Sequence, residues 1–298
     1  MSVIRIKRMI LWACFPMLKV YNYAQSKRYA VNVLTTSESL ECINKDNLSV
    51  CRLGDGEFDL INGKDLPFQK YTPEISQRLR NILEAKEDIP QLKVAMPSAY
   101  KHLNDFNMKS QMFWMLYFKD NRKWLYERLN KNYVYFDAQI TRIYINRKSV
   151  ALAEQYFHLW KSIWDEKDLL IVEGEKSRFG IGNDLFDNAK SIRRILCPAE
   201  NAYEKYADIF ACVSTHADGR LVLCVLGPTA TILAFDLAKL GMRTLDMGNL
   251  DMEYEWFRRG ASEKLKIPGK YSLEVDAGTV VDDCMDVEYS SQIIARIG

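Results

Sequence analysis

The pattern of apolar residues points to a Rossmann-like α/β fold, a doubly wound and mostly parallel sheet with an N-terminal helical extension. Residues 168–173 (DLLIVE) and 221–226 (LVLCVL) are apolar without alternation, which is how a strand reads when both of its faces are covered. Segments of helical periodicity lie between such runs. Glycine and charge gather where the runs stop, at GDGE, EGEKSRFGIGND, GPTAT and GNLDMEYEW. Ligands of open parallel sheets bind at the carboxyl ends of the strands, so these four ends predict one shared site.

In chain order, residues 1–46 read as a basic helical extension and residues 47–298 as the α/β domain. A short strand is expected over 48–53. A helix follows over 73–87, opened by Pro73, and a brief strand over 93–96 ends at Pro97. The aromatic and charged stretch 104–131 reads as helices, 133–136 as a strand and 149–163 as a helix. The second half alternates strands at 168–173, 191–197, 221–226 and 243–247 with helical segments. One of these, over 230–240, carries Leu233, Leu237 and Leu240 on one stripe and stops at Gly241. There is no repeat and no low-complexity linker.

Composition bounds the function. With 298 residues, 48% of them hydrophobic, the chain can bury a large core, and 14 Gly and 8 Pro are too few for a fibrous or disordered protein. Seven scattered cysteines without C-x-x-C spacing suit a reducing, cytoplasmic compartment. Three histidines without zinc-like spacing argue against a zinc hydrolase. The net charge of +2 is uneven: the first 28 residues hold six bases and no acid, leaving 35 bases against 39 acids elsewhere. A mildly acidic body excludes a nucleic-acid partner. The apolar stretch 9–20 is shorter than the roughly 20 residues that cross a bilayer and contains Pro16 and Lys19. Three readings stay open for it: a secretory signal with Ala24-Gln25-Ser26 as cleavage site, a helix packed on the domain, and a peripheral contact of residues 1–28 with the inner face of the plasma membrane.

The strand-end segments carry the chemistry. Asp55 and Glu57, separated by one residue, leave the same face of an extended segment and suit a hard cation such as Mn²⁺ or Mg²⁺ that bridges to phosphates. Gly54 and Gly56 let backbone approach a diphosphate, and Arg52 can neutralise it. A tight turn with solvated acids is the alternative. Lys176, Ser177 and Arg178 lie in a glycine-containing loop suited to cradling pyrophosphate, although no G-K-[ST] or G-x-G-x-x-G occurs. A loop capping the next helix through Asn183 or Asp184 fits equally. Gly227, Pro228 and Thr229 form a strand-to-helix turn in which Thr229 is the expected N-cap and the helix start an anion site. Asp246, Asp251, Glu253 and Glu255 offer a general base, with Tyr254 and Trp256 as an aromatic wall, against a reading as solvated surface.

Read together, the segments 52–71, 169–203 and 226–257 resemble the glycosyltransferases of the GT-D fold, over roughly residues 45–275. The resemblance implies a UDP-sugar donor, a glycan acceptor that is lipid-linked or protein-bound, and a metal at a D-x-E motif, here Asp55 and Glu57. It implies that Arg52, Lys176, Ser177 and Arg178 lie near the diphosphate, that Asp137 and Arg142 line the same cleft, and that Glu255, with Asp251 beside it, is the candidate base. Asn249 departs from the family's tendency to histidine, and an amide cannot serve as a base. The implied reaction moves a hexose, glucose by preference, in bacterial polysaccharide or glycoprotein synthesis; one base and a metal-assisted leaving group suffice for a single displacement with inversion, and retention stays open. The alternatives are a phosphate-cleaving enzyme on a similar sheet and a non-catalytic nucleotide-sugar-binding partner.

Overall fold

A computed structural model describes residues 12–298. Its strands are β1 (Asn32–Val33), β2 (Ser49–Arg52), β3 (Leu92–Met96), β4 (Val134–Asp137), β5 (Asp168–Gly174), β6 (Ser191–Cys197), β7 (Leu221–Val225), β8 (Thr244–Asp246) and β9 (Ile293–Arg296). They form one sheet in the order β1-β4-β3-β2-β8-β7-β5-β6-β9. Every pairing in it is parallel. The chain runs outward from β2 through β3 to β4, crosses the sheet to β5 and β6, and returns through β7 to β8, which closes against β2 at Val50 and Leu245. That closure is where the direction of winding reverses, the position at which doubly wound sheets open a crevice.

The unalternating apolar runs are explained by their two faces. Leu169 and Ile171 of β5 join Trp160, Trp164 and Leu245 in one core cluster, while Leu170 and Val172 join Ile209, Val213, Leu233 and Leu237 in another. Helix Ala151–Ile163 therefore covers one side of β5, and helices Tyr206–His216 and Pro228–Lys239 cover the other. The deepest polar residues are paired. Arg194 of β6 meets Glu173 of β5 at 2.6 Å with both side chains at 1% exposure or less. Trp160 and Trp164 donate to the carbonyls of Ile140 and Leu185 at 2.9 and 3.0 Å.

Two expectations change at the level of elements. Stretch 104–131 is one 21-residue helix, Met108–Arg128, because the Asn107 side chain accepts from the Ser110 N–H and caps it. The segment expected to be purely helical before residue 46 contains β1, which pairs with β4. Its helix Thr36–Lys45, capped by a Thr35–Glu38 capping box, buries Leu40 and Ile43 in the main core. Residues from 32 onward thus belong to the α/β body. Helix Phe15–Arg28 lies on helix Met108–Arg128, where Arg122 donates to Asn22 at 2.9 Å. The first eleven residues of the basic segment lie outside the described residues. No described helix is long and apolar enough to cross a membrane.

Candidate active site

The carboxyl ends of β5, β6, β7 and β8 open into a cavity of about 220 Å³. Gly174, Lys176 and Ser177 line it after β5, Pro198 and Ala199 after β6, Leu226 and Gly227 after β7, and Gly248 and Asn249 after β8. Arg142 enters from the loop after β4, Phe68 and Gln69 come from the β2–β3 connection, and Tyr271–Glu274 close the far side. Of the residues expected at the site, the structure brings Arg142, Lys176, Ser177, Gly227 and Asn249 onto this one surface.

Gly227 is fixed by geometry. Its φ is +54°, and a β-carbon there would lie 2.6 Å from the Phe68 ring. It is the N-cap residue of helix Pro228–Lys239, so Thr229 is not the cap. Thr229 is instead fully buried, with its hydroxyl 3.4 Å from Gln69 Oε1. Pro228 occupies the first helical turn, where its missing N–H costs nothing. The helix start meets the cavity through Gly227 and sets its positive dipole end at that wall, with the Ala230 N–H already taken by the Gly227 carbonyl at 2.9 Å.

Arg142 and Glu274 form an ion pair at the cavity wall. Burial alone would raise the Glu274 carboxyl, but Arg142 and Lys264 outweigh it and hold the pKa at about 2. Asn249 Nδ2 donates to the same carboxylate at 2.8 Å, and Lys264 approaches it at 2.7 Å. Glu274 therefore pins the segment that closes the cavity. Nothing in the sequence marked it, since it is an isolated acid beyond the last strand end. Lys176, by contrast, is exposed, and no ion pair among the described residues ends on its ammonium group.

Asp55 and Glu57 differ from the extended arrangement. They lie in the first turn of helix Asp55–Ile61, so their side chains diverge around the helix. Glu57 Oε2 accepts from the Gly54 N–H at 2.6 Å. This reciprocal cap explains Gly54 at the helix start, where a β-carbon would stand 3.3 Å from that oxygen. Gly56 packs against Leu66 instead of facing the cavity. Burial raises the Glu57 carboxyl to about 7. Asp55 is exposed and does not line the cavity, yet crowding by protein atoms raises its pKa, an effect that Arg142 opposes and Glu274 reinforces. Both of those residues line the cavity, so Asp55 stands in its electrostatic range. No described group of three or more His, Cys, Asp or Glu side chains could hold a metal ion.

Several expected site residues are committed elsewhere. Arg52 donates through Nε to the Asp246 carbonyl at 2.7 Å, through one terminal nitrogen to Ala138 O and Thr141 Oγ1 at 2.9 Å each, and through the other to Asp246 Oδ1 at 2.7 Å. It ties β2 to β8 and to the loop after β4, with few donors left for phosphate. Gly248, at φ +47°, is required because a β-carbon would collide with Arg52 at 2.2 Å. Asp137 is fully buried and accepts from Thr36 Oγ1 at 2.6 Å and from the Ser98 and Gln139 N–H groups at 3.0 and 2.8 Å, with Arg147 at 3.4 Å. It shapes the loop that carries Arg142 and does not line the cleft. Arg178 is buried and donates to the carbonyls of Gly269 and Asp282.

Asp251 and Glu255, expected to offer the base, lie on the inner face of helix Leu250–Arg258, each at 3% exposure and neither on the cavity wall. Asn183 donates to both at 2.7 Å, and Lys270 meets Asp251 at 2.5 Å and Glu255 at 3.4 Å. Burial would raise Glu255, but the Asn183 bond, Lys270 and Arg259 bring it below the ordinary value. A carboxylate so stabilised is a weak base.

A parallel sheet with a helix start and cationic side chains at its strand ends places the site in the class of open α/β crevices that take ligands at the carboxyl ends of the strands. The family model for the glycosyltransferase GT-D fold matches residues 50–275, and the chain belongs to that family. It is 40% identical over 274 residues to a probable glycosyl transferase Gly of Streptococcus gordonii, covering 92% of this chain and 40% of the relative. It is 38% identical over 269 residues to glycosyltransferase GlyD of Streptococcus pneumoniae serotype 4, covering 90% of this chain and 33% of that one. The chain therefore spans well under half the length of these curated relatives. Among solved structures it matches one of the domain of unknown function 1792, described as having a distinct glycosyltransferase fold, with a TM-score of 0.87 and 38% identity over 93% of this chain and 100% of that one. A second, a new glycosyltransferase from Streptococcus sanguinis, matches with a TM-score of 0.85 and 39% identity over 90% and 100% of the two chains.

Proposed function

We propose that this chain transfers a hexose, glucose by preference, from a UDP-sugar to a glycan acceptor, lipid-linked or protein-bound, with a divalent cation, Mn²⁺ or Mg²⁺, assisting. The observation that carries the reading is the cavity at the strand ends, where exposed Lys176, Ser177 and the start of helix Pro228–Lys239 meet on one wall. A cation and the positive end of a helix on one wall favour the diphosphate and the charge that grows on it as UDP departs.

The residues present fit a hard cation. The Asp55 carboxylate is exposed and accepts no hydrogen bond among the described residues, and Glu57 keeps Oε1 beyond the oxygen bonded to Gly54. Because the two side chains diverge around helix Asp55–Ile61, Asp55 is the carboxylate offered to such an ion, with substrate phosphates and water completing its shell. Bound there, the ion would supply charge neutralisation to the leaving diphosphate. Arg142, held cationic by its acidic neighbours, sets the potential of the wall between Asp55 and the cavity. Asp251 and Glu255 act as positioning residues: through Lys270 they hold the strand of backbone that brings Tyr271 to the cavity. Reaction at the cytoplasmic face suits the seven cysteines without framework spacing.

The test is calorimetric titration of UDP and UDP-glucose, with and without Mn²⁺, into wild type, Asp55→Asn and the Asp55→Ala/Glu57→Ala pair. Metal-dependent binding in wild type that falls at least about tenfold in Asp55→Asn, roughly 1.4 kcal/mol, is the expected result. Asp55→Asn keeps shape and leaves the Glu57 cap intact, so its loss of binding is not a loss of fold. Metal-dependent binding that survives both changes moves the ion elsewhere. Absence of binding by any uridine nucleotide overturns the donor assignment.

A further inference from the structure

The first helix presents apolar side chains on both sides. Trp12, Phe15 and Leu18 pack inward against the core, and Asn22 accepts the buried Arg122 bond. The opposite face leaves Met17 at 74%, Val20 at 71%, Tyr23 at 65% and Tyr21 at 45% exposure. At 100° per residue these four fall on two adjacent ridges that continue into Lys27 and Arg28. A helix that merely covers a soluble domain turns charge and polarity outward. Here the outward side is apolar and ends in cations, with Lys27 lying over the Tyr23 ring at 5.6 Å.

We infer that this outward face docks on an anionic lipid bilayer, with Met17, Val20, Tyr21 and Tyr23 entering the headgroup boundary and Lys27 and Arg28 meeting lipid phosphates. The docking face itself contains none of the residues of the nucleotide reading. Charge complementarity selects the partner. The first 28 residues carry six bases and no acid, while the rest of the chain has 35 bases against 39 acids, so attraction to an anionic surface is confined to this end. Tyrosines beside a cationic rim match the interfacial belt, where amphipathic rings settle at headgroup level.

The placement also orders the molecule relative to that surface. Helix Met108–Arg128 supports the first helix through Arg122, and five residues earlier its Tyr117 hydroxyl reaches the Asp55 carbonyl at 3.5 Å. Five residues rise ~7.5 Å along a helix. The candidate donor site and the docking face thus lie on neighbouring stretches of one rigid element, which suits an acceptor held at a membrane.

The experiment is co-sedimentation of the full chain with phosphatidylglycerol vesicles and with phosphatidylcholine vesicles, at low and high salt. Two variants change only exposed positions: Met17→Glu/Val20→Glu, and Lys27→Glu/Arg28→Glu. Wild type should pellet with phosphatidylglycerol and much less with phosphatidylcholine. Each variant should lose at least about tenfold in partitioning, given roughly 1 kcal/mol per cation at an anionic surface. Circular dichroism and size exclusion on the same samples separate loss of docking from loss of fold. Absence of pelleting with phosphatidylglycerol, or pelleting that both variants retain, overturns the inference. So does a wild-type oligomer that the apolar variant dissolves while vesicle binding is absent, since the face would then bind a second copy of the chain.

Discussion

At the scale of single residues, the cavity depends on two positions that cannot change cheaply. Gly227 holds a left-handed conformation in contact with Phe68, so Gly227→Ala introduces both strain and a clash at 2.6 Å. The expected cost is about 1–3 kcal/mol of stability, read from chemical denaturation, together with weakened UDP binding as Phe68 is displaced across the wall. Glu274 is the second. Its folded pKa of about 2 lies below the 4.5 of an ordinary glutamate. The stabilisation from its ion pairs is therefore complete above pH ~4.5 and is lost as pH falls toward 2. Its ceiling is ~3 kcal/mol, and thermal midpoints at pH 7 and pH 3 should differ less in Glu274→Gln than in wild type. An equal pH response in the two proteins would remove Glu274 as the pin of the cavity wall. Residues of this kind divide what the sequence reveals from what it hides. Gly227, Lys176 and Asn249 announce themselves by following apolar runs. Glu274 follows no run, and its role comes from Arg142, which is 132 positions away in the chain. Arg52 and Asp137 misled for the opposite reason: a charge beside a strand end reads as available until its partners are seen, and here Asp246 and Arg147 claim them.

At the scale of elements, strands buried on both faces were legible because their composition has no competing explanation. The runs at 168–173 and 221–226 correspond to Asp168–Gly174 and Leu221–Val225, and the stripe of Leu233 and Leu237 to helix Pro228–Lys239. Two-residue β1 and four-residue β9 are too short for any period to register, and both are edges of the sheet. The D-x-E turn was misread as extended because glycines at 54 and 56 suggest loop, while the Glu57 cap and the buried Phe58, Leu60 and Ile61 favour a helix. The segment after helix Leu250–Arg258 has little secondary structure of its own and is held by side chains: Arg178 to Gly269 and Asp282, Lys270 to Asp251 and Glu255, and Glu274 to Arg142. Arg178→Ala should loosen it. Residues 269–282 should exchange amide hydrogens at least about tenfold faster while the strands keep their protection, and nucleotide binding should weaken in parallel. Unchanged exchange there would mean that the other two ties suffice.

At the scale of the whole molecule, the family is established over residues 50–275, and the geometry accounts for why the site sits where it does. Winding outward from β2, across, and back to β8 brings three glycine-bearing strand ends, at Gly174, Gly227 and Gly248, onto one cavity. The sheet's parallel strands also explain why membership was legible in the chain: buried strands fix long apolar runs, and the loops after them carry the ligand chemistry. What the sheet could not reveal is which loop side chains face inward, because that is decided by pairings such as Asn183 with Asp251 and Glu255 across 68 and 72 positions.

The pairing of β2 with β8 has a consequence in time. Val50 and Leu245 are neighbours in space but nearly two hundred positions apart in the chain. Contacts of such separation are slow to form, because a long loop must close before they are rewarded. A chain leaving the ribosome can fold β2, β3 and β4 against their helices early, yet the wall made by Gly248, Asn249 and Glu274 is synthesised more than a hundred residues later. The cavity is therefore complete only after residue 274 has emerged, and a shorter nascent chain carries Asp55 with no cavity beside it.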